Sequence, residues 1–440
     1  MRRLNKLKHE VANFELTEDI NLEGIKEIAG GDIHVVGGAI RDTLLGEEIN
    51  DLDFCVTGVT PEQFSEIYPR AKLVGKDFPV FLMGGNEFAL ARKERSTGNS
   101  YKDFEVTCSD DISIQEDLIR RDLTINSLAF NIHTNELIDP MNGLNDLAEG
   151  IIKSNDNSFI EDPLRIYRMA RFVAQYGFSV HTKTRTQVAR NRNRIDLRTL
   201  STERIFEELR KVLKTENPRG FFDELANLGF NYPFKEIFDL MGVPQPKEHH
   251  PEGDAFEHTM QSVNLMSKLT DEEHVIFGAL MHDIGKGLTD TEDYPHHYLH
   301  AQLGLDALDS FIERMPVPNA WEQAAEIFIR EHMRAALWEH MRPSKVVRLF
   351  NRIDRSRLHI VDLMTMVYVD RKARLSYDAK LPEVDVKINE VAELYENMYE
   401  ETSGDDIDQE RYSGPEIGQQ LFQLRCHWLK QNRKELLEVA

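Results

Sequence analysis

The stretch His34–Gly46, HVVGGAIRDTLLG, decides the fold of this chain, and Asp51–Val56, DLDFCV, continues it after a short link. The paired valines are typical of the end of a short buried strand, and Ala39–Leu45 has the apolar spacing of one or two helical turns. DLDFCV alternates in polarity and predicts a second strand. Strands and helices mix in this way as far as about Phe130, so the sequence predicts an α+β domain here.

Two glycines separate the first strand from its helix. Gly37 and Gly38 let the backbone pass close to another group, and backbone N–H groups at a glycine turn that enters a helix form a cradle for an anion. Arg41 lies one turn into the helix and adds a fixed positive charge. A Gly-Gly pair alone is more often a simple turn, so the neighbouring residues must decide between the two interpretations.

Two aspartates come next, in the second strand. Asp51 and Asp53 stand two residues apart, which places both carboxylates on one face, with Leu52, Phe54 and Val56 on the other face or towards the core. Two carboxylates so close repel each other unless a cation lies between them, and an oxygen-rich site suits Mg²⁺. An isolated Asp-x-Asp is usually a pair of solvated acids. Beside a phosphate cradle, however, it is the equipment for phosphoryl or nucleotidyl transfer.

In this order and at this separation, these residues resemble the signature of the nucleotidyltransferase superfamily. The form is GGxxRDxLLGxxxxDxD, found in class II tRNA nucleotidyltransferases (CCA-adding enzymes) and bacterial poly(A) polymerases. The resemblance implies a polymerase-β-like head, a mixed sheet with helices, followed by an all-α neck. It implies that Asp51 and Asp53 are catalytic and hold Mg²⁺. It also implies that Gly37, Gly38 and Arg41 bind the nucleotide.

Composition sets bounds on the class of protein. The chain has 440 residues, enough for roughly two to four domains. No apolar run approaches the length of a membrane span, and the polar start leads into no signal core. The three cysteines, Cys55, Cys108 and Cys426, lack metal-ligand spacing and favour a reducing compartment. We therefore predict a cytoplasmic protein with no membrane partner, as either a monomer or a homodimer.

Charge is unevenly distributed along the chain. The net charge of −23 argues against a nucleic-acid partner, yet residues 160–214 carry 13 Lys and Arg against 6 Asp and Glu. A basic island in an acidic molecule can contact a phosphate backbone while the acidic surface opposes indiscriminate binding. A solvated basic helix face is the simpler alternative.

The rest of the head carries fewer signals. Residues 1–30 form a polar leader with one predicted helix, Leu22–Ala29. Glu87 is either a third carboxylate near the metal or an exposed strand end. Lys93–Tyr101 is charged and rich in turn residues, which predicts a mobile loop. The family carries a flexible loop in this interval that final adenosine addition needs, which favours full CCA addition over addition of CC alone. The other predicted elements are a helix opened by Thr60 and Pro61, strands at Ala71–Val74, Pro79–Met83 and Glu87–Arg92, and a hairpin turn at Gly84–Asn86.

The segment Glu116–Leu128 predicts a charged helix start and resembles the family motif RRDxTxNA, with Ser127 in place of the alanine. By that resemblance Arg121 and Asp122 contact the phosphate or ribose of the incoming nucleotide, and Asn126 lies nearby. Without the family, Asp122 and Asn126 are explained as helix-capping residues.

A second decisive helix is Glu161–Phe172, EDPLRIYRMARF. Asp162, Arg165, Arg168 and Arg171 recur every three residues and form a polar stripe. Cytosine and adenine both present an amino donor beside a ring-nitrogen acceptor, so a carboxylate and a guanidinium can pair with either base. Uracil and guanine present the opposite order.

This helix resembles the EDxxR motif of the family, in which an Asp and an Arg read the base. By that match Asp162 and Arg165 read the base here. Arg168 and Arg171 then face the triphosphate or the primer. An i,i+4 salt bridge within the helix is the structural alternative.

Beyond this helix, Thr182–Lys214 is rich in basic residues and matches the neck of the family, so it is our candidate surface for the acceptor arm of tRNA. These basic residues include Arg185, Arg190, Arg192, Arg194, Arg198, Arg204, Arg210 and Lys211.

Histidines become dense after Pro244–Pro246, which we interpret as a linker. A His-Asp pair offers two unlike ligands to one metal, and the order H…HDIGKG…HxxH…H…D resembles the HD phosphohydrolase superfamily. The resemblance implies a divalent transition metal and hydrolysis of phosphate monoesters or 2′,3′-cyclic phosphates at RNA ends. By that match the metal ligands are His258, His282, Asp283 and Asp370, and His300 and His332 are further ligands or substrate contacts.

Together these patterns predict an enzyme that adds CCA to tRNA from CTP and ATP and has a second, phosphohydrolase activity. A poly(A) polymerase and an enzyme that adds only A share the head and neck motifs, so both stay open. A nucleotide- or RNA-sensing HD protein with an inactive head is a further alternative, against which the intact Asp51, Asp53 and Arg41 weigh. The predicted domains are a leader at 1–30, a nucleotidyltransferase head at 31–148, a helical neck at 149–245, an HD domain at 246–375 and a helical tail at 376–440.

Overall fold

The computed structural model describes residues 4–18, 21–49, 51–74, 80–96, 104–108, 110–155, 157–374 and 387–438. The chain forms two compact units, residues 1–201 and 202–440, which we call the N-terminal and C-terminal units. The boundary between them falls inside the segment 149–245, which the sequence predicts to be one neck.

A mixed sheet organises the N-terminal unit. The strands of this unit are β1 Asp32–Val36, β2 Asp53–Thr57, β3 Lys72–Val74, β4 Val80–Met83, β5 Asn86–Leu90, β6 Arg92–Ser96, β7 Phe104–Cys108, β8 Ala129–Asn131, β9 Leu137–Ile138, β10 Ile151–Ile152 and β11 Ser179–Val180. The main sheet has the order β3-β4-β5-β2-β1-β8-β9, and β6–β7 and β10–β11 form separate pairs. Strand β2 runs antiparallel to β1 and parallel to β5. The predicted α+β class with a mixed sheet is therefore confirmed.

Helices surround this sheet and continue into the neck. They are α1 Leu4–Glu18, α2 Gly38–Leu45, α3 Pro61–Ile67, α4 Ile114–Ile119, α5 Gly143–Ala148, α6 Leu164–Tyr176 and α7 Thr182–Arg190, with 3₁₀ turns that include Leu22–Glu27 and Thr124–Asn126. Apart from the two-residue strands β10 and β11, the neck part of this unit is helical, as predicted.

The alternation predicted for DLDFCV is confirmed in the core. Leu52, Phe54 and Val56 are buried in one hydrophobic cluster, whereas Cys55 belongs to a second cluster on the opposite face. Strand β2 itself begins at Asp53, so Asp51 lies just before it rather than within it.

The leader contains a helix that its sequence pattern does not predict. Helix α1 buries Leu7, Val11 and Phe14 in the same core cluster as β2. These apolar residues stand three or four apart, but they are few and charged residues surround them. Such a helix gains its stability from the core that it covers rather than from its own propensity, which is why the local pattern is weak.

Two further expectations for the head differ from the structure. The segment Glu116–Leu128 is not one helix: α4 ends at Ile119, and a turn leads to the 3₁₀ turn at Thr124–Asn126. The predicted mobile loop Lys93–Tyr101 begins as strand, because β6 continues to Ser96 and pairs with β7. Residues 97–103 lie outside the described part of the chain.

The C-terminal unit is helical throughout its described residues. Its helices are α8 Thr202–Leu213, α9 Arg219–Asn227, α10 Lys235–Phe238, α11 Ala255–Met266, α12 Glu273–Met281, α13 His300–Ile312, α14 Asn319–Ala335, α15 Pro343–Asp354, α16 Ile360–Ala373, α17 Ile388–Glu400 and α18 Pro415–Glu438. The predicted linker Pro244–Pro246 is instead packed, with Gln245 buried and its N–H bonded to the carbonyl of Gly253. Among the described residues, no helix combines the length and the apolar character needed to cross a bilayer.

Candidate functional site

The glycine turn lies between β1 and α2. Gly37 has a φ of +68°, which disfavours any residue with a side chain, and its N–H donates to the carbonyl of Leu128. A Cβ at Gly37 would lie 3.1 Å from Nη1 of Arg121. The guanidinium of Arg121 therefore stands directly over the turn, and the buried carboxylate of Asp117 holds it there with an Nη2–Oδ2 distance of 3.1 Å.

The sequence predicts that Arg41 adds a positive charge to the anion cradle at Gly37 and Gly38, but the structure places its side chain elsewhere. Its side chain is buried, and its Nε and Nη2 donate to the two carboxylate oxygens of Asp42 at 2.9 and 3.0 Å. Its Nη1 donates to Oδ1 of Asn126 at 2.5 Å. Arg41 thus joins α2 to the 3₁₀ turn, whereas Arg121 is the cation beside Gly37.

Three carboxylates stand at or beside the starts of β2 and β5. Asp53 aligns with Glu87 in the parallel pairing of β2 and β5, and Asp51 precedes Asp53 by two residues; all three side chains are exposed. Desolvation and then the charge of Glu87 raise the pKa of Asp53, although Arg121 opposes the effect. A cation would relieve the repulsion that raises the pKa of Asp53, so these carboxylate oxygens fit a hard divalent ion.

Asp122 is the centre of a buried hydrogen-bond network. Its Oδ1 accepts from Nδ2 of Asn126 at 3.1 Å, and its Oδ2 accepts from Nε of Arg168 at 2.7 Å. Burial alone would raise the pKa of Asp122, but Arg168 and Arg165 outweigh burial and hold it well below its usual range. The 3₁₀ turn that carries Asn126 is thereby tied to α6.

Helix α6 begins at Leu164, and the carboxylate of Asp162 accepts a hydrogen bond from the Leu164 N–H at 3.0 Å. Arg165 Nη2 donates to the carbonyl of Arg120 at 2.9 Å, so Arg165 and Arg168 both face the segment 120–122. Arg171 leaves this stripe: it is buried and its guanidinium lies 4.2 Å from the ring centroid of Phe172.

The basic residues of the neck divide between the two units. In the N-terminal unit the basic residues along α7 and the segment after it are exposed, and these are Lys183, Arg185, Arg190, Arg192, Arg194 and Arg198. In the C-terminal unit Arg210 is paired with Glu273 at 2.9 Å, so it is committed to a contact within that unit.

A second cluster lies in the core of the C-terminal unit. His258, His300, His332 and Asp370 belong to α11, α13, α14 and α16, and His282 and Asp283 directly follow α12. Asp283 Oδ2 lies 3.3 Å from His282 Nε2 and 3.8 Å from His258 Nε2. Asp283 Oδ1 lies 3.7 Å from Nε2 of both His300 and His332. Asp370 Oδ1 lies 3.0 Å from His258 Nε2. All six side chains are buried, so the structure brings together every predicted ligand.

Backbone contacts fix the orientation of three of these imidazoles. The Nδ1 atoms of His282, His300 and His332 lie 2.7, 2.8 and 2.6 Å from carbonyl oxygens of their own neighbouring turns. With the proton on Nδ1, each Nε2 lone pair faces Asp283. Nε2 of His282 and of His300, and Oδ1 of Asp283, are buried without a hydrogen-bond partner. Burial lowers the pKa of His332 to about 4, which keeps this ring neutral. Imidazole nitrogens and carboxylate oxygens that converge in this way fit a divalent metal ion.

Gly285 allows the turn that follows Asp283 to pass close to His300. A Cβ at Gly285 would lie 1.9 Å from the carbonyl oxygen of His300, so only glycine lets the turn after Asp283 meet the start of α13.

Several residues around the two sites were missed from the sequence. In the C-terminal unit, Lys286 Nζ donates to Asp283 Oδ2, and Glu252 Oε1 lies 2.9 Å from His258 Nδ1. Lys286 belongs to the HDIGK run, which is a signal that could have been used. Glu252 stands in an ordinary charged stretch and gives no such signal. In the N-terminal unit the missed residues are Asp42, Asp117 and Tyr176, which hold the arginines of the site.

Family models match three parts of the chain. Residues 33–153 match the poly(A) polymerase head domain, 177–241 match a probable RNA and SrmB-binding site of polymerase A, and 255–364 match the HD domain. With the mixed sheet, the glycine turn and the clustered carboxylates, these matches define the class: the protein is a nucleotidyltransferase that depends on divalent metal ions and also carries an HD domain.

Relatives specify the family within that class. A multifunctional CCA protein of Nitrosococcus oceani is 40% identical over 74% of this chain and 80% of its own length. One from Shewanella denitrificans is 40% identical over 73% of this chain and 79% of its own length. The chain belongs to the family of multifunctional CCA proteins.

Solved structures show the same fold at low identity. The CCA-adding enzyme of Bacillus stearothermophilus in complex with CTP is 20% identical, has a TM-score of 0.62 and covers 95% of this chain and 97% of its own. The CCA-adding enzyme of Thermotoga maritima complexed with tRNA is 19% identical, has a TM-score of 0.59 and covers 98% of this chain and 94% of its own.

Proposed function

We propose that this chain builds or repairs the 3′ CCA end of tRNA from CTP and ATP without a nucleic-acid template. The observation that carries the proposal is that segment 120–122 meets the glycine turn through Arg121 and meets α6 through Arg165 and Arg168. Asp53 and Glu87 stand in register on the neighbouring strands β2 and β5 of the same unit. Membership of the multifunctional CCA protein family supports the same activity. We also propose that the protein works in the cytoplasm and that its functional domains are the head at 31–148, the neck at 149–245 and the HD domain at 246–375, flanked by the leader and the tail.

The chemistry of the head follows from its donors. Asp51 and Asp53 would hold Mg²⁺, with Glu87 as a third carboxylate, and the ion supplies positive charge to the phosphates and lowers the pKa of the attacking hydroxyl. The 3′-oxygen of tRNA forms a bond to the α-phosphorus as the bond from that phosphorus to the pyrophosphate oxygen breaks. The hydroxyl proton passes to solvent, and pyrophosphate leaves. The N–H of Gly38 donates to the triphosphate, while Gly37, whose own N–H is bonded to the carbonyl of Leu128, shapes the turn that receives it.

Charged side chains around the glycine turn complete the nucleotide site. Arg121 neutralises the triphosphate from above Gly37, because its guanidinium already lies over that turn. Asp122 and Asn126 are the proposed contacts for the ribose or phosphate, which their buried hydrogen-bond network would have to open to admit. Arg168 acts through Asp122, and Arg41 through Asn126, since both guanidinium groups bind those side chains.

Base selection is proposed for the first turn of α6. Asp162 accepts a hydrogen bond from the exocyclic amino group of cytosine or adenine, and Arg165 donates to the ring nitrogen. Uracil or guanine would leave buried polar groups unpaired, at roughly 1–3 kcal/mol per group. Arg171 supports this helix through its contact with Phe172. The exposed arginines from Arg185 to Arg198 are the proposed contact for the phosphate backbone of the acceptor arm.

In the C-terminal unit we propose a metal-dependent phosphohydrolase. The proposed ligands of a divalent transition metal are His258, His282, Asp283 and Asp370. Imidazole ligands favour such a metal. His300 and His332 lie beside Oδ1 of Asp283 and are further ligands or substrate contacts. The ion supplies Lewis acidity at a phosphate. The proposed substrates are phosphate monoesters and 2′,3′-cyclic phosphates at RNA ends.

The head is tested with tRNA that lacks its 3′ CCA, incubated with labelled CTP and ATP. We expect a tail of two C residues and one A, and its loss in Asp53→Ala with tRNA binding retained. Glu66→Ala removes an exposed carboxylate from α3 and serves as the matched control. A tail of A alone would indicate a poly(A) polymerase or an A-only enzyme. Normal addition by Asp53→Ala would refute the catalytic assignment.

The HD centre is tested separately with His282→Ala. We expect this variant to lose both bound metal and hydrolysis of 2′,3′-cyclic AMP while CCA addition continues. His274→Ala, which changes a histidine within α12, the helix that ends directly before His282, should keep both activities. Loss of both activities together in His282→Ala would mean that the two centres do not work separately.

A further inference from the structure

The two ends of α6 serve different contacts. Its first turn carries Arg165, which we propose reads the base with Asp162, and its last residue is Tyr176. The hydroxyl of Tyr176 donates to Oδ1 of Asp42 at 2.8 Å. Asp42 belongs to α2, the helix that begins at the glycine turn. This hydrogen bond therefore joins the C-terminal end of α6 to α2.

Arg41 extends the same connection. Both oxygens of Asp42 accept from its guanidinium, and its Nη1 donates to Asn126. The guanidinium lies 4.9 Å from the ring centroid of Phe172 and 5.3 Å from that of Tyr176. One buried cation therefore contacts α2, the 3₁₀ turn and two aromatic rings of α6, a constellation that we call the Arg41 clamp (Arg41, Asp42, Asn126, Phe172 and Tyr176).

Helix α6 is long enough for this contact to matter at its other end. Its 13 residues span about 18 Å at the helical rise. A packed helix moves as a rigid rod, so a contact that holds its last turn also limits how its first turn can shift. Arg168 provides the other restraint, through Asp122.

We propose that Tyr176 is a positioning residue for nucleotide selection: through Asp42 and Arg41 it fixes the base-reading end of α6 relative to the glycine turn that holds the triphosphate. This inference rests on the proposed base-reading role of Asp162 and Arg165. Selection of C and A over U and G requires the base-reading pair and the triphosphate cradle to keep one separation, because a pair that can shift can adapt to the wrong base. The clamp maintains that separation before the nucleotide arrives.

Tyr176→Phe tests the proposal because it removes the hydroxyl and keeps the ring against Arg41. On tRNA lacking CCA, we expect the KM for CTP to rise and the ratio of kcat/KM for CTP to that for UTP to fall. Each change should be about threefold to tenfold, because the net free energy of one ordinary hydrogen bond corresponds to a factor of this size. The kcat for CTP should stay within about twofold of the wild-type value, since nothing at the carboxylates changes.

Tyr68→Phe is the matched control. Tyr68 is in the same unit, and its hydroxyl donates to the carbonyl of Asn21 at 3.1 Å, far from the glycine turn in the chain. If loss of a tyrosine hydroxyl acts only through stability, both variants should have equal selectivity, and that result would overturn the proposal. Asp42→Asn, which keeps the volume and removes the charge, should reproduce the loss of selectivity seen in Tyr176→Phe.

Asp162→Ala separates this inference from the proposed function. If Asp162→Ala loses C-over-U selectivity and Tyr176→Phe keeps it, the positioning role is wrong and base reading stands. If Asp162→Ala keeps its selectivity, the base-reading assignment itself fails and the inference fails with it.

Discussion

At the scale of the residue, Asp122 shows what a motif conveys and what it leaves out. The motif RRDxTxNA indicates that this aspartate matters, and its hydrogen bond to Asn126 is a local contact four residues away. Its bond to Arg168, 46 residues further along, is fixed by the packing of α6 and has no trace in the local sequence. The residue was identifiable from the sequence, but its partner was not.

Glu252 provides a prediction at the same scale. When Nε2 of His258 binds a metal, the proton of the neutral ring is on Nδ1, and Oε1 of Glu252 lies 2.9 Å from that atom. Backbone carbonyls face Nδ1 of the other three histidines, so among these four proposed ligands His258 is the one whose Nδ1 faces a replaceable side chain. We expect Glu252→Gln to weaken metal binding by about 10- to 100-fold, as measured by competition with a chelator.

Glu248→Gln is the control for this experiment, because it changes an exposed acid four residues away. Nucleotide addition by Glu252→Gln should be normal, since the head is in the other unit. Unchanged metal affinity in Glu252→Gln would show that His258 does not need this carboxylate.

At the scale of the element, short strong patterns predicted structure and weak or interrupted ones did not. The strand ending at Val36, the helix over Ala39–Leu45 and the alternation in DLDFCV were all predicted, because each has a clear periodicity and glycines mark the turn. The break after Ile119 was not predicted, since the charged run Glu116–Asp122 has no glycine or proline to signal it. Helix α1 was missed because its stability comes from tertiary contacts.

Strand β1 carries a pH-dependent contribution to stability. Burial lowers the pKa of His34 below its ordinary value, although Asp32 opposes the effect. The unfolded chain therefore binds a proton near pH 6.5 that the folded strand does not accept, so the free energy of unfolding of the head falls as pH drops from 7 towards 5. One such group contributes at most about 1.4 kcal/mol per pH unit.

Hydrogen exchange of β1 and β2 amides, corrected for intrinsic rates, measures this dependence, because all three tryptophans are in the C-terminal unit. We expect a shallower loss of protection in His34→Gln than in the wild type between pH 7 and 5. His9→Gln, an exposed histidine on α1, should behave as the wild type. An identical slope in the wild type and His34→Gln would contradict the assignment.

At the scale of the whole molecule, the two candidate metal sites belong to two separate units of one chain. Motifs point to both candidate sites in the sequence, but only the residues of the head stand in one short run. The residues of the C-terminal cluster extend from His258 to Asp370, and the fold brings them together. The sequence could not show that Arg41 is enclosed in a clamp while Arg121 stands over the glycine turn, since both are arginines in charged motifs. Only the folded positions of Asp42, Asn126 and Asp117 distinguish the two roles.

The central claim is that Asp162 and Arg165 select the incoming base, as a template strand does in other polymerases, and that the carboxylates of the head then catalyse its addition. It is tested most directly by offering tRNA that lacks CCA an equimolar mixture of the four nucleoside triphosphates and reading the composition of the added tail. The wild type should add C and A, and the double variant Asp162→Arg with Arg165→Asp should shift towards U and G. A tail of C and A from the double variant, at the wild-type ratio, would contradict the claim.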